Sequence, residues 1–85
     1  MEVVLLPDAI EDLKYWQKSG NRAIQKKIVD LIKAIQEMPF QGIGKPEPLK
    51  HNLTGKWSRR INAEHRLIYL VEENTIYIYS IKGHY

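Results

Sequence analysis

The stretch Ile24-Gln25-Lys26-Lys27-Ile28-Val29-Asp30-Leu31-Ile32-Lys33-Ala34-Ile35 decides the fold. Ile24, Ile28, Leu31, Ile32 and Ile35 recur at i, i+4, i+7 spacing, and Arg22, Lys26, Lys27, Asp30 and Lys33 fall mostly off that stripe, which is the pattern of a helix with one apolar face. Pro39 cannot continue a helix, so the element is expected to end near Met38. A stripe of this kind is stable only against another apolar surface, and the flanking segments supply one.

Upstream, Ser19-Gly20-Asn21 separates the stripe from a second periodic segment. Asp8 followed by Glu11 resembles a capping box, and Ala9, Ile10, Leu13 and Tyr15 or Trp16 stand at helical spacing, which predicts a helix over 8–18. Two helices joined by so short a break form an antiparallel hairpin. Ahead of them, Glu2 to Leu6 is expected as an interior or well-covered strand that ends at Pro7. Its apolar run has no basic flank and is far too short for a signal segment or a membrane span.

Downstream of Gly55 come three strand-like segments. Lys56 to Ile61 alternates Trp57, Arg59 and Ile61 against Ser58 and Arg60; Arg66 to Val71 is almost wholly apolar after its arginine; Thr75 to Ile81 is β-branched and aromatic. Asn62-Ala63-Glu64 and Glu73-Asn74 are the turns between them. The order β-α-α-β-β-β predicts an α+β fold, an antiparallel sheet with the two-helix hairpin on one face and the other face partly open. A one-residue change in a turn moves every side chain of a strand to the opposite face. Whether Arg59 or Arg60 faces the open side is therefore unassigned. Arg66 and His84 share a face if the last turn holds three residues; with two or four, the tail must bend to bring them together.

At 85 residues the chain is expected to be one domain, 1–85, near the size where stability becomes marginal. It has no cysteine, which removes disulfides and thiolate chemistry and suits a reducing cytoplasm, the expected location. The formal charge is +3, and its distribution says more than its total. Residues 1–40 hold six acids and six bases, 41–70 two acids and six bases, and 71–85 two acids and one base. The surplus of cations lies in the middle segment, as expected of a surface that meets phosphates.

That segment also holds the unusual residues. Between Phe40 and Gly55 stand Gly42, Gly44, Pro46 and Pro48, too many breakers for a regular element, so a long loop is expected, and long loops in small domains are usually functional. Glu47 lies between Pro46 and Pro48, which stiffen the backbone that aims its carboxylate. Cleaving RNA without a metal needs a base for the 2′-hydroxyl proton, an acid for the 5′ leaving oxygen and cations for the phosphorane. Glu47 is the candidate base. His84 is the candidate acid, because imidazole holds and releases a proton near neutral pH. Arg66 opens an apolar strand and is the candidate phosphate ligand, and Tyr85 could stack on a splayed base. Lys45 and Lys50 flank Glu47 as further cations. His51 and His65 have no ligand-like spacing, so neither a metal nor a cofactor is expected, and His65 reads as a strand-end polar residue.

Gly44-Lys45-Pro46-Glu47-Pro48-Leu49-Lys50-His51-Asn52-Leu53, with Gly55 to Ile61, Glu64 to Tyr69 and the terminal His84-Tyr85, resembles the YoeB-type toxins of the RelE/ParE superfamily. The likeness extends over the whole chain and includes Asp12 to Trp16. It implies a ribosome-dependent endoribonuclease of a toxin–antitoxin pair that cuts messenger RNA in the A site of the 70S ribosome and is neutralised by a YefM-type antitoxin. Position by position, it implies Glu47 as general base, Arg66 as the transition-state arginine, His84 as general acid and Tyr85 as the terminal aromatic. Lys50, Arg59 and Arg60 match positions facing RNA. A homodimer is compatible with the resemblance, although no exposed stripe in the sequence specifies one. Lys82-Gly83 departs from the arginine and tyrosine of the best-known members. Two other readings stand beside the nuclease: a non-catalytic inhibitor like the gyrase-directed ParE branch, and a plain ribosome- or RNA-binding module.

Overall fold

In the computed structural model, which describes residues 1–83, the helix of the opening stretch is α2 (Arg22–Glu37). Asn21 sets its start by accepting the Ile24 N–H at 3.1 Å, satisfying one of the orphan donors of the first turn. Ile24, Ile28, Leu31 and Ile35 are its buried residues. Each such side chain stabilises the fold by roughly 1.5–3 kcal/mol on leaving water. Before it runs α1 (Pro7–Ser19), closed by Gly20 in the left-handed region at φ +72, which glycine adopts without strain. The capping-box expectation does not hold: Leu6 is the N-cap and makes no side-chain bond. Pro7 instead takes the first helical position, where its missing N–H costs nothing, and Asp8 adds a favourable charge to the first turn.

Five strands form one sheet in the order β1-β5-β4-β3-β2: β1 (Glu2–Leu5), β2 (Glu47–Pro48), β3 (Trp57–Arg60), β4 (Arg66–Glu72) and β5 (Thr75–Ser80). Both helices cover one face, where Ala9, Trp16, Leu31 and Ile35 meet Leu67, Tyr69, Ile76 and Ile78. The sheet is mixed, not antiparallel throughout, because β1 lies parallel to β5 from Glu2↔Thr75 to Leu5↔Ile78. Nor is β1 an interior strand. It is an edge in which Val3 and Leu5 point to the core while Glu2 and Val4 are exposed, and that alternation was hidden by the apolar side chain of Val4. The segment 40–55 also contains an element that its prolines and glycines concealed, the two-residue edge strand β2, antiparallel to β3.

The register that the turns left open is set by two features. Glu73-Asn74 is a two-residue turn, with Glu73 at φ +56. Tyr69 then pairs with Ile78 but Ile68 with Ser80, so Tyr79 is one extra residue in β5, a bulge. The turn has two residues, and the bulge restores the parity that a three-residue turn would have given. Arg59 lies on the helix-covered face, and Ser58, Arg60, Arg66 and Ile68 lie on the other. Among the described residues no helix is long and apolar enough to cross a membrane.

Candidate active site

Arg60 and Arg66 are direct cross-strand partners in β3 and β4. Like charges directly opposite in a sheet work against folding. Among the described residues no carboxylate lies within 4.0 Å of either; the ion pairs there are Lys14–Glu11 and Lys26–Asp30, on the helix surfaces. A salt bridge from Arg66 to Glu47 or Glu64 is thus not what holds its guanidinium. Its Nη1 donates to the carbonyls of Asn62 at 2.8 Å, His65 at 3.2 Å and Ala63 at 3.4 Å. Nε and Nη2 make no hydrogen bond to the described residues.

These arginines border a notch on the uncovered face lined by Glu47, Leu49, Ser58, Arg60, Arg66 and Ile68. Its volume is about 240 Å³, below the roughly 300–1,000 Å³ of sites that enclose a free small molecule. Glu47 reaches the notch because β2 sets it opposite Ser58, which is in turn opposite Ile68. Its side chain is exposed and makes no ion pair among the described residues.

The loop that carries Glu47 is fastened from the core side by Arg59. Its guanidinium is 0 % exposed and donates from Nη2 to the carbonyls of Met38 and Gln41, both at 2.7 Å, and from Nη1 to that of Ile43 at 3.0 Å. Nε donates to the Tyr69 hydroxyl at 3.2 Å, and that hydroxyl donates to the carbonyl of Pro39 at 2.6 Å. Burial raises the Tyr69 phenol above its ordinary value of 10.0, against the Arg59 hydrogen bond and charge, which lower it; the phenol therefore stays a neutral donor. Arg59, placed among RNA-facing positions by the resemblance, is thus inaccessible to RNA, and Arg60 is the member of the pair at the notch. Register decides between them; it is set by the turn Ile61–His65, where Asn62 Oδ1 accepts the Glu64 and His65 N–H groups at 2.9 and 2.8 Å, a signal that marks a turn without fixing its length.

Gly44 closes the same fastening, its carbonyl accepting the Arg60 N–H. A Cβ there would lie 2.7 Å from Leu31 Cδ2 and 3.1 Å from Arg59 Cβ, at φ +84. Gly44→Ala is expected to cost about 3 kcal/mol, from roughly 1–2 for a left-handed backbone and 1–3 for overpacking. A urea titration reads it, and a midpoint equal to that of the unaltered chain would show that the approach relaxes freely.

Lys45 and Lys50 are exposed on either side of β2 and do not line the notch. His84 and Tyr85 lie outside the described residues. Leu49, Ser58 and Ile68 were not singled out in the sequence; the period-two alternation of β3 was the signal for Ser58, once its register was known. Among the described residues no three His, Asp or Glu gather as a candidate metal group.

The model of the YoeB-like toxin of bacterial type II toxin-antitoxin systems matches residues 5–85. The chain is 47 % identical over 85 residues to the toxin YoeB of Escherichia coli strain K12, covering 100 % of both. In structure it resembles a YoeB dimer from Staphylococcus aureus, with TM-score 0.91 and 50 % identity over 100 % of this chain and 98 % of that one. The toxin of a YoeB-YefM complex from the same organism gives TM-score 0.90 and 51 % identity over the same shares. A carboxylate and two arginines without an ion pair among the described residues stand on the open face of a helix-backed sheet, in a chain that belongs to the YoeB-like toxin family of bacterial type II toxin-antitoxin systems.

Proposed function

We propose that the protein is a ribosome-dependent endoribonuclease that cuts messenger RNA in the A site. Glu47 takes the proton of a 2′-hydroxyl, whose oxygen attacks the adjacent phosphorus. Arg66, with Arg60 beside it, balances the charge of the phosphorane. The P–O5′ bond breaks, and His84 gives a proton to the leaving oxygen, leaving a 2′,3′-cyclic phosphate and a 5′-hydroxyl. Tyr85 stacks on a base, and Lys45 and Lys50 meet neighbouring phosphates.

The observation that carries this reading is the pair Arg60↔Arg66, held side by side without an acid within 4.0 Å among the described residues and sharing a notch with Glu47. Such an arrangement is costly for a protein with no anionic ligand. A YefM-type antitoxin is the proposed partner, by analogy with the staphylococcal complex, and a homodimer by analogy with the staphylococcal dimer. The proposed location is the cytoplasm, where ribosomes and antitoxin are met.

Incubating the protein with programmed ribosomes and mapping the 5′ ends of the message tests the reading. New ends bearing 5′-hydroxyls within the A-site codon are expected. A message left intact on ribosomes that bind the protein would mark a binding module, and an intact message with gyrase inhibition a ParE-like inhibitor.

A further inference from the structure

The last described residues are each held by a different anchor. Ile81 is gripped by α1: its N–H donates to Asp12 Oδ2 at 2.9 Å and its carbonyl accepts the Trp16 Nε1–H at 2.8 Å. Lys82 places its ammonium 4.2 Å from the centre of the Tyr15 ring, a cation–π contact. Gly83 has no side chain and is held through its backbone alone. Its carbonyl accepts the Arg66 N–H at 2.8 Å, and its N–H donates to His65 Nδ1 at 2.9 Å.

The His65 ring is itself locked. It stands edge to face with Trp16 at 4.8 Å between centroids, and its backbone N–H donates to Asn62 Oδ1 at 2.8 Å. To accept from Gly83, Nδ1 must carry its lone pair, so the imidazole is the tautomer with its proton on Nε2. This is more than a strand-end polar residue requires. The ring joins the tail to the residue before Arg66, whose guanidinium borders the notch.

We infer that His65 is a positioning residue for the cleavage reaction, fixing through the Gly83 N–H the backbone to which the two terminal residues are joined. The inference rests on the reading of His84 as general acid. Gly83 lies at φ +76 and, among the described residues, nothing comes within 4 Å of a Cβ position, so no packing there replaces the imidazole. Without the imidazole, Gly83 keeps one hydrogen bond among the described residues, the one from the Arg66 N–H to its carbonyl, and its own N–H loses its acceptor. An acid displaced by about 1 Å loses on the order of 100-fold in rate.

The test compares His65→Phe, which keeps a ring against Trp16 and removes the acceptor, with His65→Asn, whose Oδ1 stands where Nδ1 was. On programmed ribosomes at saturation, His65→Phe is expected to cleave roughly 10- to 100-fold more slowly in a single turnover, at unaltered ribosome affinity, while His65→Asn recovers most of the rate. Cleavage by His65→Phe at the unaltered rate, or an asparagine variant as slow as the phenylalanine one, would overturn the proposal. A readout without any variant accompanies it: in the 15N-labelled protein, a scalar coupling across the hydrogen bond from the Gly83 amide to His65 Nδ1 is expected, and its absence also overturns the inference. His84→Gln is run in parallel. If that variant cleaves normally, the reading of the acid fails, and the coupling still decides whether His65 holds the tail.

Discussion

Glu47→Gln is expected to slow cleavage of ribosome-bound message by roughly 10²- to 10⁴-fold, the range for losing one general base, while the ribosome is bound as before. The substitution keeps the shape of the side chain and removes only its ability to accept a full proton. Glu47 is exposed and has no ion-pair partner among the described residues, so its neutralisation leaves no buried charge stranded. Folding stability should stay within about 0.5 kcal/mol of the starting value, as for surface substitutions generally. Rate and affinity measured on the same ribosomes separate the outcomes. A loss of affinity in step with rate would make Glu47 a docking residue, and an unaltered rate would remove it from the chemistry.

The position of Glu47 could be read from the sequence only in part. Its flanking prolines announced a stiff, extended backbone, and β2 is extended at Glu47–Pro48. That this extension would pair with β3 and stand opposite Ser58 could not be read, because two residues carry no periodicity. The helices were legible for the opposite reason. The stripe Ile24, Ile28, Leu31, Ile35 repeats through several turns, so a local signal accumulates, and those four are the buried residues of α2.

The strand order turns on information that is not local. The unbroken apolar run Val3, Val4, Leu5 and Leu6 predicts an interior or well-covered strand, yet β1 lies at the edge with Val4 37 % exposed. Its parallel partner β5 is some 70 residues away along the chain, a pairing that no local pattern records. The bulge at Tyr79 is equally silent in the sequence, and it decides which side chains of the last strand share a face with Arg66.

Arg59 is where register and function separate most sharply, and replacing it should be the most damaging change to the fold. Buried ion pairs can often be exchanged for apolar residues at little cost, because both charges leave together. Here the partners of the guanidinium are the backbone carbonyls of Met38, Gln41 and Ile43 and the Tyr69 hydroxyl, and a side-chain substitution cannot remove the carbonyls. In Arg59→Met they lose their donors in a site where the arginine is 0 % exposed. A loss of about 3–5 kcal/mol is expected, a large share of the roughly 5–15 kcal/mol that a domain of this kind has in total. Lysine offers no remedy, since one ammonium cannot span acceptors that the planar fork reaches from three nitrogens. A urea titration with amide exchange over residues 38–44 measures the effect, and an unshifted midpoint would mean that the loop is held by other contacts. Cleavage should fall as well, because the fastened loop leads straight into Glu47. An inactive Arg59 variant would therefore report a displaced carboxylate, and Arg60, exposed at the notch, is the residue through which an RNA contact in this pair is to be sought.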